Sequence, residues 1–187
     1  METTGAQTWT VIIAGVGVLA LIVVGYWFYR RNQRQQSHKL HEHYGAEYDR
    51  TVGEFGSRAK GESDLKAREK RVGRLEILPL APAEAARFSE AWQALQGRFV
   101  DNPKGVVVQA EQLVRELMEK RGYPMGDFER RAGDISVDHP TVVANYRSAQ
   151  AIALRDQKGT ADTEELRKAV VHYRALFDEL LEVRETK

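Results

Sequence analysis

Residues 160–183 read TADTEELRKAVVHYRALFDELLEV. Leu166, Val170, Tyr173, Leu176, Phe177 and Leu180 fall at helical spacing and define one apolar stripe, while Glu, Asp, Arg and Lys are frequent at the other positions. Thr160 or Asp162 is placed to cap the start, and Asp162 or Thr163 followed by Glu165 has the form of a capping box. The stretch therefore predicts an amphipathic helix running to about Val183. It also sets the fold class, because the same pattern recurs upstream and alternating β-branched runs are scarce.

Working back along the chain, Pro140 to Gln157 predicts a helix with Val143, Tyr146, Ala149, Ile152 and Ala153 on its core face. Lys158-Gly159 closes it, and so short a connection predicts antiparallel packing against the last helix. Asn102-Pro103 is an N-cap followed by proline at the first helical position, and Gly122 is a C-cap. The helix between them, to about Arg121, would bury Val107, Ala110, Leu113, Val114 and Leu117. Ala83 to Val100, opened by Pro82, would bury Ala86, Phe88, Trp92, Leu95 and Phe99. Ser63 is a candidate N-cap for a helix over Asp64 to Ile77, with Leu65, Val72 and Leu75 inward and Pro79 as its stop. Gly53, Gly56 and Gly61 read as a flexible break, and Tyr123 to Pro140 as the least regular segment, with a short helical turn around Asp127 to Arg131. The sum is an all-α domain of about five helices. Val142 to Arg147 (VVANYR) faintly echoes Val170 to Arg174 (VVHYR), as expected of two helices that each bury an aromatic beside an arginine.

The N-terminal part obeys a different rule. Val11 to Tyr29, VIIAGVGVLALIVVGYWFY, carries no charge. As a helix it would reach about 28 Å, close to the ~30 Å hydrocarbon core of a bilayer. Its N-terminal flank has a single charge, Glu2, whereas Arg30, Arg31 and Arg34 follow it closely. That asymmetry predicts a single-pass inner (plasma) membrane protein with the N-terminus outside and the C-terminal domain cytoplasmic. A cleaved signal peptide would need a basic n-region, a shorter apolar run and a small-residue cleavage site, and the sequence offers none of these. Trp9, Tyr26, Trp27 and Tyr29 are placed as interfacial aromatics. The expected organisation is residues 1–10 outside, 11–29 as the span, 30–62 as juxtamembrane helix (about Asn32 to Val52) and break, and 63–187 as the helical domain.

The 187 residues include no Cys, which removes disulfides, thiolate nucleophiles and Cys-based metal sites. Formal net charge is +1. Beyond residue 37 the chain holds 25 basic against 26 acidic residues, so a chain that coats nucleic acid is not indicated. No phosphate-binding loop, nucleophile elbow, dinucleotide fingerprint or H-E-x-x-H occurs, so no catalytic residue and no cofactor is expected. His38, His41, Glu42 and His43 cluster, but with Lys39 among them and few further ligands they fit a solvated helix better than a metal centre. A pH-sensitive membrane-proximal segment is the other reading. His139, with Asp134 and Asp138, reads as capping ahead of Pro140, and His172 as a boundary histidine.

Two basic features remain. Arg30, Arg31, Arg34 and Lys39 can meet the anionic inner leaflet. Between Arg58 and Arg74, seven basic residues stand against Glu62, Asp64 and Glu69. Within that stretch Lys66, Lys70 and Arg74 form a helical stripe, and with Arg71 they define a candidate docking helix for lipid headgroups or an acidic partner. It lacks the interleaved aromatics of a base-stacking surface.

Several further motifs resemble a loosely defined, uncharacterised group of bacterial single-pass membrane proteins, some described as secreted. They are Tyr48-Asp49-Arg50, the Leu75 to Leu80 stretch LEILPL, the block Trp92, Gln96, Phe99, Val100, Asp101 and Pro103, and the turn Arg121 to Pro124. Tyr146-Arg147 and His172-Tyr173-Arg174 extend the resemblance over most of the soluble part. It implies a membrane location and a bacterial source, with no activity or site residues. The expected role is a membrane-anchored, non-enzymatic interaction or scaffold protein with a protein partner or a second copy of itself. The alternatives are a protein that binds anionic lipid surfaces through residues 58–74, and a cryptic ligand-binding or enzymatic bundle.

Overall fold

The computed structural model describes residues 24–28 and 30–181. Two compact units divide at Glu42/His43. The described part of the first is helical, and helix α1 covers residues 30–44. Among the described residues no helix is long and apolar enough to cross a membrane. Of the expected span, residues 11–23 and 29 lie outside the described residues.

The second unit is all-α among its described residues. It contains α2 (Ala46–Phe55), α3 (Arg58–Val72), α4 (Pro82–Gly97), α5 (Pro103–Arg121), α6 (Phe128–Asp138), α7 (Val143–Gln157) and α8 (Thr163–Leu180). Among the described residues, α3 to α8 make six helices where about five were expected beyond the juxtamembrane segment. The additional helix is α6, in the segment expected to be least regular, and the expected juxtamembrane helix is divided in two. The juxtamembrane helix breaks at Gly45, whose φ of 50° lies in the left-handed region, and α2 restarts beyond it. The glycines of 53–61 form no flexible break. Gly56 is the left-handed C-cap of α2, and Ser57 then caps α3 by accepting from the Lys60 amide. Ser63 lies within α3 and caps nothing, while α3 ends at Val72 rather than Ile77. Gly61 serves close packing: a Cβ there would lie 2.8 Å from the Val52 Cα, so the α2–α3 hairpin closes backbone against side-chain-free backbone.

The second correction is α6. Arg131 to Ser136 are six consecutive buried residues, so the middle of this helix is enclosed on all sides, while Phe128, Ala132 and Ile135 form its apolar stripe toward the core. Its N-cap is Asp127, which accepts from the Arg130 amide. His139 does not cap the helix that follows. It closes α6, donating its backbone N–H to the Ile135 carbonyl, and α7 begins at Val143 rather than Pro140.

The remaining elements lie near their expected bounds, except that α4 ends at Gly97 rather than Val100, and the expected end of the last helix, Val183, lies outside the described residues. Asn102 caps α5 through the Gly105 amide, and Gly122 ends it. Asp162 and Glu165 form the full capping box of α8. α7 and α8 lie antiparallel, with pairs at Arg155–Glu165 and Gln150–Tyr173. The core joins α4, α5, α7 and α8: Trp92 stacks on Phe177 at 4.6 Å, and Tyr146 meets Tyr173 edge-on at 6.3 Å. In α4 the buried alanine is Ala85, and Ala86 is exposed.

The segment between α3 and α4 crosses the end of α5. The Leu78 amide donates to the Arg121 carbonyl, and Arg121 reaches the carbonyls of Leu78 and Leu180. Gly122 has φ of 97°, and a Cβ there would lie 2.5 Å from the Glu76 carbonyl oxygen. Gly159 is also left-handed, at φ of 71°, but faces open space. Gly159→Ala is expected to cost about 1–2 kcal/mol from conformation alone. Gly122→Ala should cost measurably more in urea denaturation, because backbone must also move aside. Equal losses would mean that the crossing is not close.

Candidate functional site

Three groups of charged side chains compete for a functional role. The first was not found from sequence. Glu47, on α2, is buried, yet it is a carboxylate. Its Oε1 accepts from Arg68 Nη1 on α3 at 3.0 Å and from Arg147 Nη2 on α7 at 2.8 Å, while its Oε2 accepts from Arg147 Nε at 3.1 Å. The Arg147 fork is thus bidentate. Around this centre Arg68 also donates to Asp64 at 2.6 Å, and Arg147 to Glu129 at 2.6 Å. Arg50 bridges Glu54 and Glu129. The Arg68 guanidinium lies 3.4 Å from where a Cβ of Gly133 would be, so it rests on α6 as well. Four helices therefore meet at one buried ion cluster.

Electrostatics follow the geometry. For Glu129, partial burial pushes the carboxyl up, but hydrogen bonds and charges from Arg147 and Arg50 outweigh it and hold it below the usual range. For Arg147, burial opposes the charge, and Glu47 and Glu129 together raise it above the usual guanidinium value. Every charged group of the cluster faces an opposite charge from another residue of the cluster, which suits cross-linking of helices.

The second group is the proposed docking helix. Lys66 and Lys70 are exposed and share a face of α3. Arg71 is not offered to a partner: its Nε donates to the buried Asp134 at 2.8 Å, tying α3 to α6. Arg74 is exposed but lies in the turn beyond Val72, so the stripe does not extend to it. Arg58 and Arg68 are likewise engaged, by Glu62 and by Asp64 with Glu47.

The third group belongs to the first unit. Arg30, Arg31, Arg34 and Lys39 are exposed on helical backbone. The Arg31 guanidinium lies 5.4 Å from the Trp27 ring centroid, within cation–π range. Trp27, Arg30, Arg31 and Arg34 line one open groove.

The histidines are placed individually. His38 pairs with Glu42 at 3.4 Å on the surface, and His43 Nε2 meets the Val137 carbonyl at 2.8 Å. His139 Nδ1 lies 3.1 Å from Glu179, and His172 Nδ1 lies 2.9 Å from Asn145 Oδ1. Among the described residues no three His, Asp or Glu side chains converge as a metal site. Comparisons with protein-family models, with curated proteins and with solved structures found no match.

Two predictions follow from burial. Glu47→Gln leaves the buried Arg68 and the half-buried Arg147 short of their counter-charge and should lower unfolding free energy by about 3–5 kcal/mol. Glu129, with a side chain 61% exposed, should tolerate Gln within about 1 kcal/mol. Urea denaturation of both variants checks this, and similar losses would remove Glu47 from its central place. The phenols give a pH dependence. Burial raises Tyr146 and Tyr173 above the usual value, and in Tyr146 this outweighs the opposing Arg131 bond. A raised folded-state value means stability is complete below about pH 10 and is lost above it. Loss of helicity should accompany the last tyrosinate absorbance to appear. Full tyrosine ionisation with helicity intact would contradict their burial.

Proposed function

We propose that the chain is a membrane-tethered, non-enzymatic interaction module: a single N-terminal span, an inward-facing C-terminal helical domain and a protein partner or second copy bound at the domain surface. The observation that carries this reading is the uncharged run Val11–Tyr29 followed at once by exposed Arg30, Arg31 and Arg34 on helical backbone. A run of that length suits a bilayer core, and its cationic flank suits the cytoplasmic side. The resemblance to bacterial single-pass membrane proteins points the same way. For the surface, Val100 projects from the α4–α5 turn at 90% exposure, and Val108 on α5 is also exposed. Apolar residues so placed give a partner contacts that water would otherwise cover.

Lys66 and Lys70 favour a second reading, in which the face of α3 rests on anionic lipid. One experiment separates the two. Photo-crosslinking residues are placed singly at Val100, Val108 and Lys70 in the full-length protein in its host membrane. Reproducible protein adducts from Val100 or Val108 support the interaction module. Lipid adducts from Lys70 alone support the second reading. Extraction of the protein by alkaline carbonate would overturn the tether itself.

A further inference from the structure

We infer that Trp27, Arg30, Arg31 and Arg34 form a binding site for the headgroup of a phospholipid carrying two phosphodiester groups. The inference rests on the tether proposed above and adds a specific lipid to it. The four residues stand at the spacing that places side chains on one helical face. They line a single open groove, and all four are exposed. The Trp27 ring holds the Arg31 guanidinium at 5.4 Å, which limits the rotamers that this cation samples and leaves its N–H edges for a ligand. Phe28 packs edge-on against Trp27 at 5.3 Å and steadies the ring.

The chemistry of the occupant follows from charge and shape. Guanidinium forks match phosphate oxygens in bidentate fashion, as an ammonium cannot. Three of them in one groove overmatch a single phosphodiester, which carries one negative charge. Two phosphodiesters joined through one glycerol match the set more closely. Position selects a lipid over a soluble phosphate: the groove begins inside the apolar run and ends in its basic flank, the depth at which headgroup phosphates lie.

The test uses the full-length protein, reconstituted in bilayers of phosphatidylcholine with diphosphatidylglycerol or with phosphatidylglycerol at equal total charge. Retained lipid is counted by native mass spectrometry after gentle detergent release. The comparison variant is R30K/R31K/R34K, which keeps the charge and hence the insertion. Carbonate extraction is run beside it. The expected result is selective retention of diphosphatidylglycerol by the parent and about a tenfold loss in the variant, the size of one good bidentate contact. Equal retention of the two lipids, or no loss in the Lys variant, overturns the headgroup site and leaves the tether standing. Carbonate extraction of the parent overturns the tether, and the site with it.

Discussion

A carboxylate without water must find its whole solvation in the protein, and Glu47 is the place where this chain accepts that constraint. Two arginines from separate helices satisfy it, and each of them is held by a further acid. The geometry is demanding. α2 must present Glu47 inward, α3 must stand so that Arg68 reaches both Asp64 and Glu47, and α7 must aim the Arg147 fork. The Glu47–Arg147 bonds join α2 directly to α7, so the ion cluster helps to fix their register. Buried ion pairs add little net stability over apolar packing of the same shape, but they exclude arrangements that leave a charge unpaired. Here that means the α2–α3 hairpin has one acceptable seat against α6 and α7.

The same logic explains α6. A helical stretch buried on all sides would ordinarily be apolar throughout, yet this one carries Arg131 and Asp134. Asp134 is answered by Arg71 of α3, and Arg131 by the Gly126 carbonyl and the Tyr146 hydroxyl. Each internal charge of α6 therefore joins a different neighbour, with α3 on one side and the core helices on the other. At the far end Arg121 acts in a similar way on backbone, binding the carbonyls of Leu78 and Leu180. Those oxygens lie on the α3–α4 segment and at the end of α8, so one side chain pins two chain segments to α5.

Where the fold is amphipathic, it was legible. α5 and α8 have a stripe and a side-chain cap with local causes, and α7 has the stripe and the stop, although its start at Val143 was not signalled. Legibility failed where two local rules collide with packing. Glycines at 53, 56 and 61 look like a linker, but one of them is a cap and another permits close contact between helices. α6 looks like a loop because its buried face includes Arg and Asp, and nothing local reports that Arg71 lies opposite. Arg71 itself illustrates the cost of reading charge by composition. Among the cations of the basic stretch, Arg58, Arg68 and Arg71 are committed to specific acids, and sequence spacing alone reveals only the Arg58–Glu62 and Asp64–Arg68 pairs.

That division of charge bears on the proposed tether. With net charge near zero, the domain has no long-range field to draw it to a membrane or an acidic partner, and at physiological salt each exposed charge acts only over about 8 Å. Attraction must then be local and must survive after the internal pairs are discounted. Discounting them thins the α3 surface, where Arg58, Arg68 and Arg71 drop out. It leaves the Arg30, Arg31 and Arg34 face whole, since those three are exposed and one is braced by an aromatic ring rather than by a carboxylate. The membrane chemistry proposed for the chain is therefore concentrated beside the apolar run, and a partner of the kind proposed would have to be recognised by shape and apolar contact.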